Sequence, residues 1–167
     1  MSKLKKYLIL LVSMALLLLG SGSTFANPIS AKADTSNAVN IYFFHSTQCS
    51  SCASLESHLL LLEESHENVH IVYFTLDDND SATRAYNQTL FSETATIFGY
   101  ENEVSYPFTV IGGKSFIGSN ATVKSYIGKY VEKYLSHDFV DVMAKIIAGE
   151  TIVESDFDTS ALNEFDL

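Results

Sequence analysis

The 167-residue sequence has only two cysteines, two prolines and no tryptophan, and it has half as many basic as acidic residues. Small secreted domains that depend on disulfides contain several pairs, so a single pair argues against a disulfide-stapled scaffold. Ten lysines and arginines against twenty acidic residues leave a formal charge of −10, which disfavours binding to nucleic acids and to anionic membranes. Hydrophobic residues make up 47% of the chain, so a core can form without covalent staples.

One long apolar run, residues 7–19, lies near the N-terminus and follows three lysines. A transmembrane helix needs about 20 apolar residues, so this run is short for a span and typical of a secretory signal peptide. Two small-residue cleavage sites follow the run, and the second ends at Ala33. We therefore predict a signal peptide at residues 1–33 and a secreted or cell-surface mature protein, with an uncleaved signal anchor as the alternative.

The predicted mature chain is strongly acidic. Removal of residues 1–33 takes away four of the ten basic residues and leaves six against twenty acidic ones, a formal charge of −14. The remaining 134 residues suit one domain with a single core. We predict a mobile N-terminus at residues 34–38, a folded domain at residues 39–148 and an acidic tail at residues 149–167. The tail has six acidic residues and no basic ones, and it can either dock on the domain or stay disordered.

Hydrophobic periodicity predicts alternating strands and helices along the mature chain. Continuous apolar runs indicate strands buried on both faces, and apolar residues three or four positions apart indicate amphipathic helices. The predicted strands are residues 39–45, 69–76, 108–111 and 115–117, and the predicted helices are residues 49–67, 81–98, 121–135 and 137–148. Ser46 or Thr47 is the expected N-cap of the first helix. The order β-α-β-α-β-β-α with a C-terminal helical extension predicts an α/β fold with a four-stranded mixed sheet flanked by helices.

Both cysteines lie in Cys49-Ser50-Ser51-Cys52, where the first predicted strand runs into the first predicted helix. A disulfide across four residues contributes roughly 2 kcal/mol in the chain-entropy model, against about 3 for fifteen residues, so stapling explains this pair poorly. A C-x-x-C sequence at a strand–helix junction is typical of a redox dithiol. The helix N-terminus favours a thiolate, so we expect Cys49 to be the nucleophile and Cys52 the resolving thiol.

A zinc site is the main alternative interpretation of the cysteine pair. Structural zinc needs about four ligands, so two histidines would have to complete the site. The histidines near enough in sequence are His45, His58, His66 and His70. His58 lies inside the first predicted helix, and His66 and His70 lie on either side of its end. These histidines are therefore not expected to converge on the cysteines, and we expect no metal. His45, four residues before Cys49, could stabilise the thiolate or move a proton, or it could simply be a solvated strand end.

At three points the sequence resembles the thioredoxin-like superfamily. These are the C-x-x-C after the first strand, Tyr106-Pro107 before the third strand, and the strand–glycine turn–strand sequence at residues 108–118. The resemblance covers residues 39–135 and implies a three-layer thioredoxin-like fold. It also implies a cis Pro107 that faces the dithiol, with Tyr106 presenting its backbone to a bound substrate.

The sequence departs from thioredoxins around the cysteines. Phe43 stands where thioredoxins have a buried acid, and Gln48 replaces the tryptophan that precedes the first cysteine. Ser50-Ser51 differs from the intervening pairs of the best-known members, and Tyr106 is bulkier than the usual residue before the proline. These departures concern the surroundings of the dithiol and leave the predicted order of strands and helices unchanged.

Together these features predict an exported thiol–disulfide oxidoreductase that forms, reduces or exchanges disulfides in cysteine-containing proteins or peptides. No metal or organic cofactor is expected, and nucleic acid is not an expected partner. Export favours an oxidase or isomerase. A reductase outside the cytoplasm needs a membrane redox partner that donates electrons. The direction of electron flow between this protein and its substrate therefore stays open. The alternative class is a non-enzymatic accessory protein that uses the fold as a scaffold, for example in bacteriocin export or maturation. A glutathione-dependent enzyme is less favoured, because no basic residue lies near Cys49 in sequence.

Overall fold

The computed structural model describes residues 38–100 and 104–160. The predicted signal peptide, residues 34–37 of the predicted N-terminal segment and residues 161–167 of the predicted tail lie outside these ranges. The elements in chain order are β1 (Val39–His45), α1 (Ser50–Ser65), β2 (Val69–Thr75), α2 (Ser81–Ile97), β3 (Phe108–Ile111), β4 (Lys114–Ile117), α3 (Ala121–Ser136), α4 (Val142–Ala148) and a 3₁₀ turn (Glu154–Asp156). Within the described ranges, no helix combines the length and the apolar content that crossing a bilayer requires.

The four strands form one mixed sheet in the order β2-β1-β3-β4. β1 runs parallel to β2, and His45 at its end pairs with Thr75. β3 runs antiparallel to β1, with Phe44 opposite Phe108, and β4 runs antiparallel to β3. The ends of β1 and β2 and the start of β3 therefore lie at one edge of the sheet, which brings the loop after His45 close to Pro107. This is the predicted thioredoxin-like, three-layer α/β fold, and α4 with the 3₁₀ turn forms its C-terminal extension.

The central strand β1 is covered on both faces, as its continuous apolar sequence predicts. Phe43 is fully buried in one core cluster, where Leu55 and Leu59 of α1 pack together with residues of α3. Phe44 is fully buried in the other cluster, which includes Met143 of α4 and residues of α2. Burial of a phenylalanine side chain stabilises a fold by about 1.5–3 kcal/mol, so the two faces of β1 anchor both helical layers.

The first helix begins one residue later than predicted and uses a different cap. Helix α1 starts at Ser50, and Cys49 is its N-cap residue, whose sulfur accepts a hydrogen bond from the backbone of Cys52. The prediction that Ser46 or Thr47 caps this helix is wrong. The hydroxyl groups of both residues instead donate hydrogen bonds to the carboxylate of Asp77, which follows the neighbouring strand.

The last helix is shorter than predicted, because its first residue is Val142 and not His137. Helix α4 covers Val142–Ala148, and Asp141 is its N-cap. One carboxylate oxygen of Asp141 accepts from the backbone of Ala144 at 3.0 Å, and the other accepts from the hydroxyl of Tyr42 at 2.8 Å. These bonds hold Asp141 against β1, and the chain before it runs as a non-helical connection.

The part of the acidic tail that the structure describes is docked on the domain. The backbone of Asp158 donates a hydrogen bond to Gly113 in the β3–β4 turn at 3.1 Å. The carboxylate of Asp158 accepts from Lys133 at 2.7 Å and from the hydroxyl of Tyr134 at 2.9 Å. Lys145 of α4 forms a second ion pair with Asp156 at 2.6 Å. Two acidic tail residues therefore bind one lysine of α3 and the lysine of α4.

Candidate redox site

The cysteine pair forms a disulfide at the junction of β1 and α1. Cys49 and Cys52 are bonded with their Cα atoms 5.2 Å apart. Cys52 lies in the first turn of α1 and is 1% exposed, whereas Cys49 is only partly buried. A reaction partner can therefore reach the pair from the side of Cys49, which is the residue expected to be the nucleophile.

Two hydrogen-bond donors meet at the sulfur of Cys49. The backbone N–H of Cys52 donates to this sulfur at 3.1 Å, and the hydroxyl oxygen of Ser51 also lies 3.1 Å from it. Both groups belong to the first turn of α1, where free N–H groups and the helix dipole favour negative charge. After reduction these donors would stabilise a Cys49 thiolate, which is the reactive form of a cysteine.

Asp77 holds the loop that leads to Cys49. Its carboxylate accepts hydrogen bonds from the hydroxyl of Ser46 at 2.8 Å and from the backbone and hydroxyl of Thr47 at 2.9 Å and 2.7 Å. The bonds from the Thr47 backbone and side chain, with a smaller contribution from Ser46, lower the pKa of Asp77 to about 2. Asp77 is therefore anionic throughout the physiological pH range.

The sequence alone does not indicate this role of Asp77, which lies in the acidic segment between the predicted strand at residues 69–76 and the predicted helix at residues 81–98. The signal that could have identified it is its place two residues after Thr75, the last residue of a strand that runs parallel to β1. The ends of parallel neighbours meet at the same edge of a sheet, so an acid there lies beside the loop after His45. The bonds to Ser46 and Thr47 also explain why neither of these residues is free to cap α1.

A pocket of about 380 Å³ lies beside the disulfide and is lined by Ser46, Gln48, Cys49, Asp77 and Tyr106. We call it the Cys49 pocket. The structure thus brings the predicted nucleophile and the predicted substrate-binding Tyr106 together, although they are 57 positions apart in the sequence. The Tyr106–Pro107 peptide bond is cis, and the side chain of Tyr106 is 46% exposed. Pro107 itself is buried, and its carbonyl accepts a hydrogen bond from Gly118 at 2.9 Å.

His45 packs against other side chains of the sheet. Its ring stacks on Phe43 with the ring centres 5.0 Å apart and meets Tyr73 edge-on at 5.6 Å. Its Nε2 atom is hydrogen-bonded to the hydroxyl of Thr75 at 3.1 Å. Burial lowers the pKa of His45 below its usual value of 6.5, so the ring is neutral at neutral pH. A role of His45 at the Cys49 thiolate stays a prediction, and it would have to use a neutral imidazole.

Two of the four histidines considered as zinc ligands are hydrogen-bonded to α3. The Nε2 atom of His58 is hydrogen-bonded to the backbone carbonyl of Lys124, and the Nε2 atom of His66 is hydrogen-bonded to Glu132. Across residues 38–100 and 104–160, no three His, Cys, Asp or Glu side chains are placed to hold a metal ion together. The described geometry offers a dithiol–disulfide centre with a neighbouring carboxylate and an aromatic ring.

Solved structures similar to this chain include three thioredoxins. A mutant thioredoxin from Halobacterium salinarum NRC-1 is 19% identical over 61% of this chain and 79% of its own, with a TM-score of 0.44. Thioredoxin from Trichomonas vaginalis is 18% identical over 59% and 81%, with a TM-score of 0.41. Mitochondrial thioredoxin 3 from Saccharomyces cerevisiae, in its oxidised form, is 20% identical over 57% and 78%, with a TM-score of 0.39.

No protein-family model and no curated protein matches the chain. The similarity to the three thioredoxins is distant, so the fold assignment rests on the strand order and on the positions of the cysteines and of Pro107. The chemistry of the site likewise rests on the contacts around Cys49.

Proposed function

We propose that this protein is a thiol–disulfide oxidoreductase that acts on cysteine-containing proteins or peptides outside the cytoplasm. The observation that carries the proposal is the Cys49–Cys52 disulfide at the N-terminus of α1, with the Cys49 side open to a pocket and Cys52 buried. A short disulfide that is accessible from the side of one sulfur, next to thiolate-stabilising donors, is suited to repeated opening and closing.

In the reducing direction, the Cys49 thiolate attacks one sulfur of a substrate disulfide. A Cys49–substrate mixed disulfide forms, and the other substrate sulfur leaves as a thiolate that takes a proton from solvent. Cys52 then loses its proton to solvent, its thiolate attacks the sulfur of Cys49, and the second substrate sulfur leaves as a thiolate that takes a proton from solvent. The substrate disulfide has gained two electrons and two protons, and the Cys49–Cys52 dithiol has become a disulfide. Run in reverse, the same steps oxidise a substrate dithiol.

Tyr106 supplies the binding surface for the substrate backbone in this proposal. It lines the Cys49 pocket and lies two residues before β3, at the bend it forms with Pro107, so its backbone is next to the reacting sulfur. An extended peptide can pair with such a segment through main-chain hydrogen bonds. This arrangement favours extended chains as substrates over small thiols, which lack a backbone to pair.

The location outside the cytoplasm is supported by the predicted signal peptide at residues 1–33. A catalytic cycle there requires a second thiol–disulfide partner that resets the dithiol, and a membrane protein is the natural source of electrons. The direction depends on how stable the Cys49 thiolate is. Asp77 beside Cys49 disfavours that thiolate, whereas Ser51 and the N-terminus of α1 favour it.

The proposal is tested on protein that lacks residues 1–33, by alkylation of samples quenched across a glutathione redox series. We expect Cys49 to be alkylated faster than Cys52 in the reduced form, and we expect the pair to cycle between dithiol and disulfide. Replacement of Cys49 by Ala should abolish reduction of a disulfide-containing peptide. If the pair never cycles, or if Cys49→Ala leaves the biological activity intact, the dithiol is incidental and the accessory role is favoured.

The same glutathione series shows whether the protein reduces or oxidises its substrates. A pair that is largely oxidised at a ratio that leaves ordinary protein dithiols reduced behaves as a reductant. A pair that stays reduced under oxidising ratios behaves as an oxidant. The ratio at half oxidation gives the reduction potential directly.

A further inference from the structure

The Cys49 pocket contains a single formally charged side chain. Among its five lining residues, Asp77 is ionised, while Ser46, Gln48 and Tyr106 are neutral hydrogen-bonding groups. A substrate segment that enters the pocket to reach the sulfur of Cys49 therefore meets one fixed negative charge. Its own charge next to the reacting cysteine then influences binding.

The charge of Asp77 is not neutralised by a cation of the described chain. Its hydrogen bonds come from Ser46 and Thr47, both of which are neutral. In the described part of the chain, the ion pairs are His66–Glu132, Lys133–Asp158 and Lys145–Asp156, and none of them includes Asp77. The carboxylate thus keeps its full charge for an incoming partner.

The position of this carboxylate is fixed before a substrate arrives. Its Oδ2 atom accepts from the hydroxyl groups of both Ser46 and Thr47, and its Oδ1 atom accepts only from the backbone N–H of Thr47. Oδ1 retains a free lone pair with which to accept another hydrogen bond. A group held in this way loses little conformational freedom when it binds a ligand.

Tyr106 adds an aromatic face to the same pocket. Its side chain is 46% exposed, so its ring is accessible to a ligand. A lysine or arginine side chain is attracted both to a carboxylate and to the face of a tyrosine ring within about 6 Å. A carboxylate and an aromatic ring in one pocket are a combination that recognises a basic side chain and disfavours an acidic one.

We propose that Asp77 and Tyr106 make the site selective for proteins or peptides that carry lysine or arginine next to the reacting cysteine. This inference rests on the proposed thiol–disulfide exchange at Cys49. Asp77 acts here as a specificity-determining residue, in addition to holding the loop before the sulfur.

The test uses the full-length protein and two synthetic disulfide peptides that differ only in a lysine or a glutamate beside the cysteine. The expected kcat/KM is about three- to fivefold higher for the lysine peptide at low salt, the range of an exposed ion pair. The preference should shrink as salt rises to about 0.5 M, where the Debye length is roughly 4 Å. Equal kcat/KM for the two peptides, or a preference that salt does not change, would overturn the inference.

Two variants and a control assign the preference to this pocket. Asp77→Asn and Tyr106→Leu should each lower the lysine preference, and the second leaves the bonds of Asp77 to the loop in place. Glu64→Gln removes the same unit of charge from an exposed position near the far end of α1, about 20 Å away along the helix. This control should keep the preference. If Glu64→Gln lowers the lysine preference as much as Asp77→Asn does, the effect comes from net charge, and the role of Asp77 is overturned.

The failure of this inference and the failure of the proposed function look different. If neither peptide is reduced or oxidised at Cys49, the exchange reaction itself is wrong. If both peptides react with the same kcat/KM, the exchange reaction stands and the selectivity is wrong. Alkylation of reduced Cys49 by neutral iodoacetamide, together with a thermal melt, checks that Asp77→Asn still folds and presents its thiol.

Discussion

The hydroxyl oxygen of Ser51 lies 3.1 Å from the sulfur of Cys49, within the two-residue segment that separates the cysteines. In the sequence, Ser50-Ser51 offers no pattern that can be converted into a reduction potential. In the structure the two serines differ, because only Ser51 of the two has a hydrogen bond to the sulfur among the described contacts. The second intervening residue therefore contributes directly to the chemistry of the first cysteine.

Replacement of Ser51 by Ala should raise the pKa of the reduced Cys49 thiol. The hydroxyl can donate to the thiolate, and loss of one such partly exposed bond destabilises the thiolate by about 0.5–1.5 kcal/mol. The measurement is the rate of iodoacetamide alkylation of Cys49 as a function of pH. Ser50→Ala is the matched control and should leave the profile unchanged. Equal profiles for the two variants would show that the Ser51 contact does not persist in the reduced protein.

Replacement of Cys52 by Ser should trap a mixed disulfide between Cys49 and a substrate. The buried resolving thiol is then missing, so the second step of the exchange cannot occur. Mass spectrometry of protein incubated with a disulfide peptide should find the adduct on Cys49. The reciprocal Cys49→Ser variant should form little adduct, because Cys52 is only 1% exposed. Comparable adducts on both variants would contradict the assigned order of attack.

His45 should titrate below pH 6.5 in an NMR experiment, because its half-buried ring resists protonation. A histidine whose folded pKa is lowered stabilises the fold above its unfolded pKa of about 6.5. That contribution decreases as the pH falls from there and is lost once the pH is below the folded value. His45→Gln should flatten this part of the stability–pH curve. A ring that titrates at or above pH 6.5 would contradict this prediction and would allow a protonated His45 to stabilise the Cys49 thiolate.

Replacement of Gly113 by Ala should undock the described part of the tail. A methyl group at Gly113 would lie 2.5 Å from the backbone nitrogen of Asp158 and 2.6 Å from the backbone oxygen of Asp156. Because these are backbone atoms, the tail must move, and we expect a loss of about 1–3 kcal/mol in the free energy of unfolding. Urea unfolding measures this loss.

Gly128→Ala is the control for that experiment. Gly128 lies inside α3, and its nearest neighbour to an added methyl group is Leu62 at 4.0 Å. Alanine favours a helix by about 0.5–1 kcal/mol over glycine, so this variant should be slightly more stable. If both glycine variants lose stability equally, close packing against the tail is not the cause at Gly113.

Replacement of Asp158 by Asn should weaken the same docking and change its acid sensitivity. Burial raises the pKa of Asp158, but hydrogen bonds from Lys133, Ser160 and Tyr134 outweigh burial and lower the pKa to about 2. The unfolded value is about 3.9, so the stabilisation is full above about pH 4 and is lost as the pH falls to about 2. It amounts to about 1–2 kcal/mol, because solvent screens this partly exposed ion pair and reduces the full linkage value. Asp158→Asn should remove this slope from an acid-unfolding curve, whereas Glu154→Gln should keep it.

Much of the fold was predictable, because its signals are local. The apolar run at Val39–His45 was predicted as a strand with its observed bounds, and the strand at Phe108–Ile111 likewise. Leu55 and Leu59, four positions apart in the predicted first helix, are both buried on one face of α1. Each of these predictions uses the spacing of neighbouring residues, which is set by the pitch of a helix or the alternation of a strand.

The cap positions were less predictable, because several polar groups compete for the same partners. Ser46 and Thr47 are good cap residues by composition, yet both bind Asp77 from a distant part of the chain. Asp141 looked like an interior residue of a helix, yet its bond to Tyr42 makes it the start of α4. In each case the hydrogen-bond partner lies in another strand or just after one, so the local sequence pattern does not reveal it.

The sequence by itself determined the C-x-x-C at a strand–helix junction, the order of elements and the proline-led hairpin. These features depend on residue type and on short-range spacing alone. Only the tertiary structure decided that Asp77 and Tyr106 share a pocket with Cys49, and that His45 packs against Tyr73 of β2. The physical reason is the sheet itself, since pairing of β1 with both β2 and β3 gathers the loops of three separate segments at one edge.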